Sequence, residues 1–141
     1  MNYNPDKVRK LISEITRSLG SLDELACLSE HEFLSDPHKI SSAKYNLIVA
    51  VEGAIDLCNH VISKNGFRTP EDYADTFRVM AEHGAFDATF AEALTRMARF
   101  RNRLVHIYWD IGVTDLRRIL TTRLPDIRAF LDRFGEFIGL R

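Results

Sequence analysis

The chain has 141 residues, of which 45% are hydrophobic and 28% charged, and its formal net charge is −1. This balance excludes a disordered chain, a collagen-like repeat and a disulfide-rich miniprotein, and the length is that of one domain, expected to span residues 1–141. Cys27 and Cys58 form no CxxC pair, and the sequence contains neither a signal-peptide core nor an apolar run of bilayer length. We therefore expect a cytoplasmic protein without a membrane segment.

The beginning of the sequence predicts a long helix followed by a short one. Asn4-Pro5 is typical of a helix start, with asparagine as the N-cap and proline at the first helical position. Apolar residues then recur with a period near 3.6 up to Leu25, although Gly20 is expected to bend or weaken this helix. Ser29 and Glu32 fit a capping box that would begin a short helical turn.

The middle of the sequence predicts two further helices. Asp36-Pro37 would start a second long helix that ends at about Lys64, before Asn65-Gly66. Apolar residues cover so much of the circumference of this helix that we expect it to be buried on more than one side. Thr69-Pro70 is expected to open a third helix, which His83-Gly84 would close.

The end of the sequence predicts a fourth helix from about Asp87 to Trp109, closed by Gly112, and a fifth helix capped by Thr114 and kinked at Pro125. Strand patterns are nearly absent, so we predict an all-α, up-and-down bundle of four to five helices. The apolar second helix favours a homodimer whose two-fold interface uses the second or fourth helix. The alternative is that this helix forms the centre of the bundle within one chain.

The charges are unevenly distributed along the sequence. Residues 1–95 contain nine basic and fifteen acidic residues, whereas residues 96–141 contain ten arginines and five acidic residues. Arginine suits planar, bidentate contacts with phosphate, so the second segment could face an anionic partner. Ion pairs between these arginines and the acidic part of the fold are the equal alternative.

The fourth helix contains the residues that are most informative about function. Arg101 lies in the middle of its apolar stripe, and burial of an unpaired guanidinium is costly, so Arg101 requires a carboxylate, a cleft or a bound anion. Asn102 and His106 lie together on the shoulder of that stripe. Because Arg101 and His106 are about 140° apart on a regular helix, either the helix loosens near His106 or the two residues meet in a cleft reached from both directions, for instance at a two-fold interface.

The second helix offers carboxylates to Arg101 through a polar stripe that contains Glu52, Asp56 and His60. A buried pair of Arg101 with Glu52 or with Asp56 would lock two helices together, and a functional cleft is the other interpretation. His31, Glu32, Asp36 and His38 also lie near one another, but a solvated turn is favoured there. We therefore predict no metal site and no cofactor.

The segment Arg101-Asn102-Arg103-Leu104-Val105-His106-Ile107-Tyr108 resembles the R-x4-H-x-Y motif of HepT-like toxins in the HEPN superfamily. Lys44-Tyr45-Asn46-Leu47 and the segment from Glu52 to His60 are similar to the second helix of that family. The order of helices, the loop from Asn65-Gly66-Phe67 to Pro70 and the total length agree as well, so the resemblance covers nearly the whole chain.

The resemblance implies a dimeric, all-α ribonuclease toxin whose partner is a minimal nucleotidyltransferase antitoxin. Arg101 and His106 would be catalytic, with Asn102 in support, and the antitoxin would neutralise the toxin by adenylylating Tyr108. His106 suits general acid–base work near neutral pH, and Arg101 would stabilise charge on the phosphoryl oxygens of RNA. The flanking residues Arg99 and Arg103 would bind backbone phosphates. Glu52, Asp56 and His60 would not contact RNA themselves but would support the residues that do.

This interpretation predicts metal-independent cleavage that leaves 2′,3′-cyclic phosphate ends. Two alternatives stay open. The chain could be a non-catalytic HEPN-like subunit that holds a nucleotide or a nucleotidyltransferase partner. It could also be a structural dimerisation domain whose buried polar residues give specificity.

Overall fold

The computed structural model describes residues 1–107 and 111–140, and these residues form seven α-helices and no β-strand. The helices are α1 (Pro5–Ala26), α2 (Glu30–Leu34), α3 (Pro37–Lys64), α4 (Tyr73–Glu82), α5 (Ala88–His106), α6 (Val113–Thr122) and α7 (Leu124–Ile138). The all-α prediction is confirmed. The described residues form seven helices, whereas the sequence predicted four to five. The predicted short turn is a separate helix, α2, and the predicted kink at Pro125 is a break that separates α6 from α7.

The early helix starts lie where the sequence predicts them. The Asn4 side chain accepts hydrogen bonds from the backbone N–H groups of Asp6 and Lys7 at the start of α1. Ser29 and Glu32 form both hydrogen bonds of a capping box at α2. These features are local, so the nearby sequence suffices to specify them.

α1 runs from Pro5 to Ala26 through Gly20, so this glycine does not end the helix. Two predictions about helix geometry are wrong. α4 begins at Tyr73 rather than at Thr69-Pro70, because the Asp72 side chain accepts a 2.7 Å hydrogen bond from the Asp75 backbone N–H and caps the helix there. α6 begins at Val113, with Gly112 at the N-cap position instead of Thr114.

The central helix of the fold is α3, which packs against each of the other six helices. Its packing is closest against α1, where a Cβ atom added at Gly53 would lie 2.6 Å from Cγ1 of the fully buried Ile15. The apolar surface of α3 is therefore covered within a single chain, as the second of the two interpretations predicted. Among the described residues, none of the helices combines the length and the apolar character that crossing a bilayer requires.

Candidate functional site

Arg101 is the buried charge at the centre of the candidate site. It lies near the C-terminal end of α5 and is only 5% exposed, as its position in the apolar stripe predicts. Its neighbours Leu104 and Ala98 on the same face of α5 are fully buried. A guanidinium in such surroundings is stabilised only if other groups compensate for its lost hydration.

Three side chains from three helices contact the Arg101 guanidinium. Nη2 donates to Oε1 of Glu52 on α3 and forms an ion pair with it, and Nη1 donates to Oδ1 of Asn102 over 3.0 Å. The ring of Tyr73, at the start of α4, lies under the guanidinium with 4.9 Å between its centroid and Cζ, which is within the range of a cation–π interaction. Nε is buried and makes no hydrogen bond with any described residue.

Arg101 also lines a small cleft between α3, α5, α6 and α7, with a cavity volume of about 40 Å³. Its walls are largely apolar, and Arg96, Arg123 and Asp126 contribute charged groups. Asp126 Oδ2 is, like Arg101 Nε, a buried atom without a hydrogen-bond partner in the part of the chain described. Arg101 therefore keeps one buried donor, its Nε–H group, that no described residue satisfies.

Glu52 and Asp56 have different environments although they share one polar stripe of α3. Glu52 is the carboxylate that pairs with Arg101, and its side chain is 43% exposed, so water can reach it. Asp56 is exposed and lies one helical turn further along. Desolvation, reinforced by the negative charge of Glu52, raises the pKa of Asp56, whereas Lys7 and Arg101 lower it by smaller amounts. The two possible pairs that the sequence left open are thus resolved in favour of Glu52.

His60 is engaged at a different place on α3. It is buried, and its Nε2 atom accepts a 2.9 Å hydrogen bond from the backbone N–H of Asn4, which fastens the start of α1 to α3. Burial, followed by the nearby positive charges of Lys7 and Lys64, lowers the pKa of His60. His60 lies two helical turns from Glu52, and its described contact stabilises the fold rather than Arg101.

His106 is the last residue of α5 and is exposed. Because α5 is helical up to this residue, the helix does not loosen between Arg101 and His106, and the two side chains leave it in directions about 140° apart. Arg99 and Arg103 are also exposed, and their spacing of seven and three residues from His106 places all three on one face. Arg101 and Asn102 are therefore in contact, whereas His106 belongs to the opposite, arginine-rich face of the same helix.

Two further predictions concern residues away from this contact. Tyr108, the predicted adenylylation site, lies outside the described residues. In the turn with His31 and His38, both carboxylates act as helix caps: Glu32 completes the capping box, and Asp36 accepts a hydrogen bond from the His38 backbone N–H over 2.9 Å.

Sequence reasoning missed Tyr73 and the ion pairs beside it. Arg68 donates two hydrogen bonds to Asp75, of 2.7 and 3.0 Å, and also binds Glu82 over 2.8 Å. The hydrogen bonds from Arg68 and from the Glu71 backbone N–H lower the pKa of Asp75 to about 2. The one usable signal was the spacing of Asp75 and Glu82, which places the two carboxylates two turns apart on one face of a helix.

Comparisons with known proteins agree with this architecture. The mRNA nuclease HepT of Shewanella oneidensis is 25% identical over 101 residues, which cover 72% of this chain and 76% of that protein. The crystal structure of a toxin–antitoxin with AMP-PNP matches with a TM-score of 0.86 at 21% identity, over 93% of this chain and 98% of that one. The tri-AMPylated HEPN toxin of Shewanella oneidensis, in complex with the MNT antitoxin, matches with a TM-score of 0.86 at 23% identity, over 96% and 99% of the two chains.

The structural matches show a shared fold, and the family assignment comes from the sequence. Residues 15–134 match the profile of the family described as Ribonuclease HepT-like. This range includes α3, which carries Glu52, and the whole of α5, which carries Arg101 and His106. The resemblance seen in the R-x4-H-x-Y segment is thereby confirmed, and the chain belongs to the HepT-like ribonuclease family.

Proposed function

We propose that this chain is a ribonuclease toxin that cleaves RNA without a metal ion, using Arg101 and His106. The observation that carries the proposal is the state of Arg101 in a chain of a ribonuclease family. Its guanidinium is buried and held by Glu52 and Asn102, yet its Nε–H group has no protein acceptor among the described residues. A positioned cation with a spare donor suits a phosphoryl oxygen.

The reaction needs only groups that this chain and the RNA supply. The 2′-hydroxyl loses its proton to a base and attacks the adjacent phosphorus, and the bond from phosphorus to the 5′-oxygen breaks as that oxygen gains a proton. His106 is exposed and therefore accessible to RNA, and its imidazole can accept one proton and donate another, while Arg101 stabilises the charge on the phosphoryl oxygens. The products are a 2′,3′-cyclic phosphate and a 5′-hydroxyl.

The opposed directions of Arg101 and His106 support a site shared between two copies of the chain. In a homodimer, the exposed face with His106, Arg99 and Arg103 from one copy can approach RNA that contacts Arg101 of the partner copy. Arg99 and Arg103 would then hold backbone phosphates on either side of the cleaved bond. The homodimer prediction thus depends on the separation of these two residues and no longer on the apolar surface of α3.

A mixed-dimer experiment tests this arrangement. Arg101→Ala and His106→Ala chains are each expected to be inactive, and a dimer that contains one of each has one intact shared site. We expect such purified mixed dimers to recover a substantial fraction of wild-type cleavage. Dimers of a doubly substituted chain with wild type contain no intact shared site and should be inactive, whereas sites within single chains would leave them half-active. Mixed dimers that stay as inactive as either parent would show that each site lies within one chain.

Neutralisation is proposed to occur at Tyr108 through a minimal nucleotidyltransferase antitoxin. A structural relative is a tri-AMPylated HEPN toxin bound to an MNT antitoxin, and the R-x4-H-x-Y motif places Tyr108 two residues after His106. An adenylyl group on Tyr108 would add bulk and negative charge two residues along the sequence from His106 and repel RNA. A Tyr108→Phe toxin should escape neutralisation in cells that express the cognate antitoxin. Full neutralisation of this variant would show that binding alone suffices.

Growth of a bacterial host tests the toxin assignment and its two alternatives. Expression of the wild-type chain should stop growth and degrade cellular RNA, whereas the Arg101→Ala/His106→Ala chain at matched soluble levels should be harmless. Harmless growth with both chains would favour the non-catalytic binding subunit. A double variant that fails to fold would favour the structural role. The ion pair between Arg101 and Glu52 is the contact that would serve that role.

A further inference from the structure

We propose that Tyr73 is a positioning residue that fixes the plane of the Arg101 guanidinium for phosphate binding. The inference rests on the proposed role of Arg101 and adds a residue that lies outside the R-x4-H-x-Y motif. It starts from the cation–π contact in which Cζ of Arg101 lies over the Tyr73 ring, 4.9 Å from the ring centroid.

The ring restrains a motion that the hydrogen bonds of Arg101 leave free. All N–H bonds of a guanidinium lie in its plane. The hydrogen bonds to Glu52 and Asn102 therefore hold two of its nitrogen atoms in place, but the plane can still rotate about the line through those atoms. The Tyr73 ring, over which Cζ of Arg101 lies, adds a third contact that opposes rotation of the guanidinium about the line between its two hydrogen-bonded nitrogens. Bidentate recognition of phosphate depends on the orientation of the plane, so both kinds of restraint are needed.

The start of α4 is a rigid mount for the Tyr73 ring. Asp72, just before Tyr73, caps the helix through a 2.7 Å hydrogen bond from the Asp75 N–H. Asp75 in turn accepts a 2.9 Å hydrogen bond from the Glu71 N–H and two hydrogen bonds from Arg68. The backbone on both sides of Tyr73 is therefore held by half-buried polar contacts, which fix the point from which the ring reaches Arg101.

Core packing does not account for an aromatic residue at this position. Tyr73 is 44% exposed, whereas Phe77, one turn further along α4, is almost fully buried and carries the core packing of that helix. The described contact that distinguishes the Tyr73 ring is the one with Arg101. Substitution of Tyr73 should consequently change the orientation of Arg101 much more than the stability of the fold.

Steady-state cleavage of a short RNA by the wild-type chain, Tyr73→Phe and Tyr73→Leu tests the inference. Phenylalanine keeps the ring face, so Tyr73→Phe should retain kcat within about twofold, whereas Tyr73→Leu should lose about tenfold or more in kcat with KM little changed. Tyr45→Leu is the matched control, because Tyr45 is the other strongly exposed tyrosine in a described helix and it makes no described contact with Arg101. Its kcat should equal that of wild type.

A second measurement does not depend on activity. The NMR signal of the Arg101 Nε–H group should be shifted by the ring current in wild type and Tyr73→Phe, and should move and exchange faster with water in Tyr73→Leu. A Tyr73→Leu chain with wild-type kcat and an unchanged signal would overturn the inference alone. An increase confined to KM would mean that Tyr73 stacks on RNA instead, and would overturn it as well. A wild-type chain that cleaves no RNA would overturn the proposed function and this inference together.

Discussion

Two arginines in this chain show how differently the same side chain is used. Arg68 is partly exposed, yet its Nε, Nη1 and Nη2 atoms all donate to the carboxylates of Asp75 and Glu82. Arg101 is buried, yet it has one carboxylate partner and leaves Nε without an acceptor in the described structure. An exposed arginine whose three nitrogen atoms all donate to carboxylates fits a structural role. A buried arginine with a spare donor is the arrangement that a ligand can complete.

The largest difference should appear when each arginine is replaced by lysine. Arg101→Lys should lower cleavage about a hundredfold or more, because an ammonium group cannot make the planar contacts of a guanidinium with phosphate. Arg68→Lys should lower cleavage only a few-fold, through a looser start of α4 beside Tyr73, and should lower Tm slightly. Cleavage of a labelled RNA, together with thermal unfolding of both variants, checks the two results. Equal loss of activity in both variants would remove the distinction between the two arginines.

Two histidines sharpen the same comparison. His106→Ala should abolish most cleavage and leave Tm unchanged, because the side chain is exposed. His60→Ala should keep the chemistry but lower the free energy of unfolding by about 1–3 kcal/mol, because the Asn4 N–H loses its acceptor. His38→Ala, at another exposed position, is the control for His106. Full activity of His106→Ala would contradict its proposed role.

Two glycines test how firmly α3 holds Glu52. Gly53→Ala should cost about 1–3 kcal/mol, because the new Cβ atom would lie 2.6 Å from Ile15 in the closest part of the α1–α3 contact. Activity should also fall, since Glu52 is the adjacent residue. Gly20→Ala, with no atom within 4 Å of the added Cβ, should instead stabilise α1 by about 0.5–1 kcal/mol. Chemical denaturation of both variants measures these opposite changes.

A similarly small effect is expected from the ion pair of Arg68 with Asp75, which should make the stability of the fold sensitive to acid. Folding lowers the pKa of Asp75 from 3.8 to about 2, mainly through its hydrogen bonds from Arg68. The stabilisation is therefore complete above about pH 4 and is lost as the pH falls towards 2. Screening of the half-exposed Arg68 by water keeps this stabilisation small. Unfolding of wild type and Asp75→Asn as a function of pH should show a smaller acid loss in the variant, and equal slopes would contradict the assignment.

Sequence reasoning succeeded where the determining contacts are local. The cap at Asn4, the capping box at Ser29 and the limits of α3 depend on residues within a few positions of one another. Burial of Arg101 also followed from the sequence, because the apolar residues around it recur with helical spacing. The family resemblance depended on the same helix and on α3.

Contacts between distant helices could not be read from the sequence in the same way. Glu52 and Asp56 share one stripe, and only the relative rotation of α3 and α5 determines that Glu52 meets Arg101. Tyr73 precedes Arg101 by 28 residues, and no periodic pattern connects the two. The start of α4 was misplaced because Thr69-Pro70 and Asp72 are both acceptable helix starts, and the hydrogen bond from the Asp75 N–H favours the latter.

The most direct test of the central claim is cleavage of RNA by the purified wild-type chain in the presence of excess EDTA, with the product ends identified by mass spectrometry. We expect undiminished cleavage that yields 2′,3′-cyclic phosphate and 5′-hydroxyl ends, and a loss of about a hundredfold or more in Arg101→Lys and His106→Ala, both assayed well below their Tm. Activity that disappears with EDTA, or that persists in both variants, would contradict the proposed metal-independent chemistry of Arg101 and His106.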